Sequence, residues 1–289
     1  MAGGGGLVVV GTPIGNLEDL SPRAARCLRE ADLVACEDTR RTAVLLRHAG
    51  AQTRMVPVHR HNEAGRVADL VARMREGARV ALVSDAGMPV VSDPGSRLVR
   101  AAADAGLPVE VVPGPSAVIA ALAVSGLAGG HGFAFLGFVP RKGPERRAAL
   151  DRLDRLTVPA VLFESPQRLP ALLDDLAARW PARPLAVCRE LTKLHEETVR
   201  GTAAEVAERL AEPPRGEIAV VVGAAAAADG DDPAGSAADE RLREAMAILI
   251  DAGVGAGRAA EAVAALGVAP RNAAYRAGLE AAERRRAAT

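Results

Sequence analysis

Arg79-Val80-Ala81-Leu82-Val83-Ser84-Asp85-Ala86-Gly87-Met88-Pro89-Val90-Val91-Ser92-Asp93-Pro94-Gly95 is an apolar run that stops abruptly at two Ser-Asp pairs, two glycines and two prolines. A short unbroken apolar run bounded by turn residues predicts a buried strand from Arg79 to Val83. The residues from Ser84 to Gly95 then enforce a long shaped turn. Asp93 and Pro94 predict the N-cap and first position of a helix running from Ser96 to Asp104. A strand that ends in such a turn before a helix N-terminus suits a small polar ligand at the strand's carboxyl end. One turn of this kind is equally compatible with an ordinary strand-to-helix connection.

Two further stretches repeat the arrangement. Leu7 to Val10 reads as a central strand running into Gly11-Thr12-Pro13-Ile14-Gly15-Asn16, after which Ser21-Pro22 caps a helix. This loop lacks both the GK[ST] of a Walker loop and a GxGxxG fingerprint. Val109 to Val112 reads as a strand ending in Pro113-Gly114-Pro115-Ser116-Ala117. Strands at Asp32 to Cys36 and Met55 to Val58 complete an alternation of strand and helix, which predicts an α/β domain with a mainly parallel sheet. Parallel strands share their carboxyl ends, so the loops at Gly11, Ser84 and Pro113 are expected to form one crevice. His59-Arg60-His61-Asn62-Glu63 lacks the spacing of a helical zinc motif; it reads as a polar strand end, with Asn62 a cap.

A second sheet begins at Phe133, where aromatic and small residues alternate through Phe138. Pro140-Arg141-Lys142-Gly143, with Arg146 and Arg147, is the clearest basic cluster, and it leads into a helix through Leu156. A strand over Ala160 to Phe163 ends in Glu164-Ser165-Pro166, which predicts another cap and a helix from Gln167 to Arg179. Strands at Leu185 to Cys188, through Val199, and at Ile218 to Val222 follow. Expected boundaries are residues 1–117 and 118–223 for two α/β domains, 224–238 for a linker, and 239–289 for a small helical domain. Helices of the last region are expected around Arg258 to Leu266 and Asn272 to Arg284, as a nucleic-acid-binding helix-turn-helix or a packing appendage. Gly253-Val254-Gly255-Ala256-Gly257 follows a helix rather than a strand and reads as a turn.

The 36 basic and 36 acidic residues balance, so contact with nucleic acid must come from local clusters. Cys27, Cys36 and Cys188 are widely spaced and form no CxxC, which points to neither a disulfide framework nor a thiolate metal site; a reducing cytoplasm is expected. Residues 111–140 carry no Asp, Glu, Lys or Arg, but prolines and glycines interrupt them, so a membrane span is not expected.

Taken together, VGTPIGNLEDLSPRA, CEDTRRT, HNE, SDAGMPVVSDPG, PGPSAV, GFVPRK, ESPQRL, RELTKLHEE and the GE before the last strand closely resemble one family. It is the ribosomal RNA small-subunit cytidine 2′-O-methyltransferase family, within the tetrapyrrole methylase superfamily. The resemblance implies two α/β domains of that type with S-adenosylmethionine bound in the cleft between them, a ribose hydroxyl of small-subunit ribosomal RNA as acceptor, and a homodimer. By motif it carries cofactor contacts onto Ile14, Asp85, Ala86, Gly87, Met88, Val91, Ser116, Ala117, Glu164 and Leu191. Met88 stands where tetrapyrrole-methylating relatives have an aspartate, which argues against a macrocycle as substrate.

The physical demands agree. Methyl transfer is an in-line displacement governed by alignment, and no metal is needed. A ribose hydroxyl attacks better beside a base and a cation, and Lys193 as the cation with Glu37 as proton acceptor is the expected pair. Salt-bridged cleft residues are the plainer reading of both. Arg40, Arg41, Arg141, Lys142 and Arg147 are the expected phosphate contacts. Two rival readings stay open: a methyltransferase acting on a carbon of a porphyrin precursor, and a non-catalytic nucleotide- or RNA-binding protein.

Overall fold

A computed structural model describes residues 4–58, 63–129, 132–210, 216–225, 233–266, 268–269 and 271–287. The chain divides into two compact units, Met1–Ala225 and Ala226–Thr289. The histidine-containing segment at 59–62, including the expected cap Asn62, lies outside the described residues.

In the first unit, β1 (Gly6–Val10), α1 (Pro22–Glu30), β2 (Leu33–Cys36), α2 (Thr39–Ala49), β3 (Arg54–Pro57), α3 (Glu63–Arg75), β4 (Arg79–Leu82), α4 (Ser96–Asp104) and β5 (Val109–Val112) alternate as expected. Their sheet has the order β3-β2-β4-β1-β5, and every pairing is parallel. The central strands β1, β2 and β4 are buried on both faces, where successive side chains point to opposite sides, whereas the edge strands β3 and β5 are only partly buried. Val8, Val34, Cys36 and Ala81 pack with Leu28, Leu45 and Leu46 of α1 and α2. Leu7, Leu33, Val80 and Leu82 pack on the other face with Leu70 and Met74 of α3 and Leu98 of α4. Each fully buried aliphatic side chain contributes roughly 1.5–3 kcal/mol, so helices on both faces hold the strand ends rigidly in line.

The helix α5 (Ala117–Ser125) leads to the second sheet, made of β6 (Ala134–Phe138), β7 (Ala160–Glu164), β8 (Leu185–Arg189), β9 (Glu197–Gly201) and β10 (Ile218–Val222). Its order is β6-β7-β10-β8-β9; β6 and β7 are parallel and the remaining pairs antiparallel. The helices α6 (Gly143–Asp154), α7 (Leu169–Arg179) and α8 (Ala203–Arg209) cover one face through Leu150, Leu153, Leu172 and Val206. Against the other face lie Val118 and Ala121 of α5, together with Ile14 from the loop after β1 and Leu191 from the loop after β8. One apolar cluster thus joins loops of both sheets.

The second unit consists of α9 (Pro233–Asp251), α10 (Ala256–Ala265) and α11 (Arg271–Ala287), packed through Leu242, Met246, Ala260, Val263 and Ala274. The α/β class and the helical tail are therefore as expected, while three local expectations are corrected. Helix α9 begins at Pro233, inside the stretch expected to be linker. Helix α7 begins at Leu169, because the Ser165 carbonyl first accepts from the amides of Arg168 and Leu169 in a turn. The N-cap of α4 is Gly95 at φ 115°, not Asp93. A Cβ at Gly95 would lie 2.8 Å from Leu82 Cδ2, so the chain passes too close to β4 for a side chain and enters the helix two residues later. Asp93 is thereby left to other work.

Candidate functional site

The three expected loops leave adjacent strands β4, β1 and β5, and they meet. The Thr12 amide donates to the Gly87 carbonyl at 2.9 Å, while the Thr12 hydroxyl reaches the same carbonyl at 3.2 Å. The Gly11 amide donates to Val112 O at 2.9 Å, and a Cβ on Gly11 would lie 2.6 Å from Gly114 Cα. Backbone presses on backbone here, which is why both positions are glycine.

Above this junction lies a pocket of about 380 Å³, walled on its other side by loops and strand ends of the second sheet. Its lining includes Ile14; Ala86, Gly87, Met88 and Val91; Ser116 and Ala117; Glu164; and Leu191. Every expected cofactor contact is therefore brought to one pocket except Asp85. That carboxylate is directed elsewhere: it accepts from the Asp38 amide at 3.1 Å and stands 3.7 Å from Arg41 Nε, tying the loop after β2 to the loop after β4. Reading the sequence alone missed Ser92, Asp93, Phe138, Phe163 and the run Gly216 to Ala219 on the wall. The Gly-Glu pair before the last strand and the aromatic alternation on β6 were the available signals.

Two wall loops are strained. Val90, Ser92, Glu190 and Thr192 have φ of 78°, 68°, 51° and 66° respectively, and they are the non-glycine residues of positive φ among those described. Such conformations cost about 1–3 kcal/mol each and persist where the surroundings over-determine them. Both strained pairs flank pocket residues, Val91 in one loop and Leu191 in the other.

Glu164 at the end of β7 is buried in the wall. Its Oε1 accepts from the Ser165 amide at 2.8 Å and forms an ion pair with Arg168 Nε at 3.1 Å, whereas Oε2 has no hydrogen-bond partner among the described residues. An unsatisfied carboxylate oxygen in such a place is costly unless a ligand donates to it.

Lys193 is not on the wall but stands behind it. Its Nζ donates to Glu190 Oε1 at 2.8 Å and Glu217 Oε2 at 3.2 Å, and Glu217 lines the pocket. Burial opposes the Lys193 charge, but bonding and attraction from Glu190 and Glu217 outweigh it and hold the ammonium above the ordinary lysine value. Glu37 is not on the wall either; its charge acts on the Asp93 carboxyl, which is.

The expected phosphate contacts fall in two places. Arg40 and Arg41 lie on the first turn of α2, 89% and 63% exposed, with Arg40 held by Asp38 at 2.8 Å. Arg141, Lys142 and Arg147 lie exposed at the start of α6, with Lys142 at its N-cap. Arg141 also lines a separate hollow with Gln167 and Arg168. Arg146, beside them, is committed to structure through Asp175 at 2.6 Å and the Pro140 carbonyl at 3.0 Å. Among the described residues, no group of three or more His, Cys, Asp or Glu is arranged to hold a metal, and no helix is long and apolar enough to cross a membrane.

Residues 6–207 match the family model described as Tetrapyrrole (Corrin/Porphyrin) Methylases. The chain is 49% identical over 225 residues to Ribosomal RNA small subunit methyltransferase I of Mycobacterium tuberculosis, covering 77% of this chain and 79% of that protein. It is 41% identical over 276 residues to the protein of the same name from Synechocystis, covering 95% and 97%. Among solved structures, uroporphyrin-III C-methyltransferase from Thermus thermophilus in complex with S-adenosylhomocysteine superposes with a TM-score of 0.54 at 26% identity, over 75% of this chain and 97% of that one.

Proposed function

The chain belongs to the tetrapyrrole methylase family, and from that membership we infer that it is an S-adenosylmethionine-dependent methyltransferase of small-subunit ribosomal RNA. Within that activity the proposed acceptor is the 2′-hydroxyl of a cytidine. The observation that carries the reading is the pocket itself, where three loops from one sheet and the rim of another enclose a single space with an unsatisfied carboxylate oxygen in its wall.

The residues present fit the cofactor. Glu164 Oε2 needs a donor, and S-adenosylmethionine carries several: the adenine amino group, the ribose hydroxyls and the methionine ammonium. Ala86, Gly87, Met88, Ser116 and Ala117 are proposed to hold it through loop backbone, with Ile14, Val91 and Leu191 packing on its apolar parts. When bound, the cofactor supplies a methyl group on a positively charged sulfur, ready for displacement. The chain's part is to align the hydroxyl, exclude water and manage the charge that forms on oxygen. Lys193 is proposed to stabilise that oxygen.

Phe138 is 55% exposed on the wall, its ring 5.8 Å from that of Phe163. An exposed aromatic at the rim of a nucleotide-sized pocket is a stacking platform for an unpaired base. Arg40, Arg41, Arg141, Lys142 and Arg147 are proposed to hold flanking phosphates. Homodimer formation, a cytoplasmic location and a boundary between two α/β halves near Ala117, where α5 turns onto the second sheet, complete the proposal.

Incubation with labelled S-adenosylmethionine and small ribosomal subunits tests it. The expected product is a methylated cytidine whose 3′ linkage resists alkali, because alkaline cleavage needs the free 2′-hydroxyl. Methylation of a porphyrin precursor instead, or cofactor binding without turnover on subunits, would sink the reading. Two variants probe its parts. Glu164→Gln is expected to weaken cofactor binding about 10–100-fold by calorimetry, since a charge-assisted bond is lost; unchanged affinity would remove Glu164 from the site. Phe138→Ala is expected to raise KM for the subunit about 10-fold while cofactor affinity holds, the size of one lost base stack.

A further inference from the structure

The loop after β4 carries a carboxylate on the pocket wall that is not among the proposed cofactor contacts. Asp93 does not cap α4, and it lines the pocket beside Ser92. That stretch of loop reaches the second sheet, since a Cβ on Gly137 of β6 would lie 3.7 Å from Ser92 Oγ. Asp93 therefore stands on the same wall as Phe138, the proposed platform for the acceptor base. Burial, and then the charge of Glu37, push its carboxyl up to about 6; a hydrogen bond from Ser84 pulls the other way, and Asp85 adds to the rise. The cations of this corner are directed elsewhere, Arg40 to Asp38 at 2.8 Å and Arg41 toward Asp85 at 3.7 Å.

We propose that Asp93 is the catalytic base that takes the proton from the ribose hydroxyl. This rests on the methyltransferase reading above and reassigns the proton acceptor from Glu37 to the carboxylate that is on the pocket wall. In the transfer, the hydroxyl oxygen forms its bond to the methyl carbon. The carbon–sulfur bond breaks with its electron pair left on sulfur. The hydroxyl proton passes to an Asp93 carboxylate oxygen, from which solvent later removes it. An acceptor that titrates near neutrality is far more effective in this role than an ordinary aspartate, which holds a proton only weakly.

The test uses the full chain with Asp93→Asn, a nearly isosteric change. Cofactor affinity by calorimetry is expected to match the wild type, while methyl transfer to small subunits falls about 100-fold. The acid limb of the wild-type rate, near pH 6, should vanish from the residual activity. Ligand-free melting supplies a readout independent of turnover. A carboxyl raised in the folded state stabilises it at low pH and loses that contribution as pH rises through about 6, so wild-type stability should decline relative to Asp93→Asn between about pH 4 and 6. Wild-type rate and pH profile in Asp93→Asn would overturn the assignment. If the wild type transfers nothing to subunits, the functional reading fails first. An Asp93→Asn melting profile parallel to the wild type's removes the proposed base on its own account.

Discussion

Replacing Gly11 by Ala should abolish cofactor binding, by a factor of 100 or more on the order of magnitude set by about 3 kcal/mol. The added methyl would sit 2.6 Å from both Gly114 Cα and Gly114 N and 2.7 Å from Met88 Sδ. The thioether can swing aside, but the Gly114 backbone cannot. It is pinned between β5 and α5, and from its side a Cβ on Gly114 would come within 2.8 Å of Gly11 Cα. Relief requires the loops after β1 and β5 to separate, which opens the floor of the pocket and strains the Thr12–Gly87 bridge. The expected cost to stability is about 1–3 kcal/mol. Gly65→Ala is the control: nothing lies within 4 Å of the added methyl, so binding should hold and melting should stay level or rise slightly. Gly11→Ala protein that binds S-adenosylmethionine with wild-type affinity would show that the loops do not depend on that approach.

Lys193→Met is expected to lower turnover on small subunits about 10³-fold while leaving cofactor affinity within a few fold. The side chain keeps its length and packing, so what is removed is a charge held between Glu190 and Glu217. With the ammonium gone, Glu190 and Glu217 lose the cation between them, and the cluster that reaches the wall through Glu217 becomes more negative beside the proposed acceptor oxygen. Loss on removal is therefore larger than that of one missing hydrogen bond. Single-turnover rates with saturating cofactor, set against calorimetric affinity, separate the two quantities. Wild-type turnover in Lys193→Met would reduce the residue to a clasp between two loops. The cost to folding should stay modest, because a partly exposed pair contributes about 0–1 kcal/mol.

Both predictions turn on where loops end rather than on where strands begin. The strands were legible because four- and five-residue aliphatic runs have few other fates, and because the loops after β1, β4 and β5 carry the glycines and prolines that shaped turns demand. Ile14, Ala86, Gly87, Met88, Ser116 and Ala117 lie in those loops and line the pocket, but the family resemblance, not the turn chemistry, singled them out. Asp93 was misread. Its pairing with Pro94 is a good local cap signal, yet the close approach of Gly95 to Leu82 is a long-range fact that overrides it. Asp85 lies off the pocket wall, and nothing local reveals that its carboxylate accepts from the Asp38 amide and faces Arg41. Phe138 at the end of β6, and Gly216 and Glu217 just before β10, lie more than 20 positions from the loops of the first sheet that share their pocket, and no pattern within one segment joins them to it.

Hydrophobic periodicity and turn chemistry act over a few residues, so the sequence by itself determined the strand–helix alternation, the parallel first sheet and the three bends on one edge of it. Tertiary packing decided the rest: that the second sheet closes the pocket, that Asp93 lies on its wall while Lys193 does not, and that one oxygen of Glu164 has no hydrogen-bond partner among the described residues. The physical reason is that charge, burial and steric closeness depend on distance through space, and the chain order does not encode that distance for any single segment.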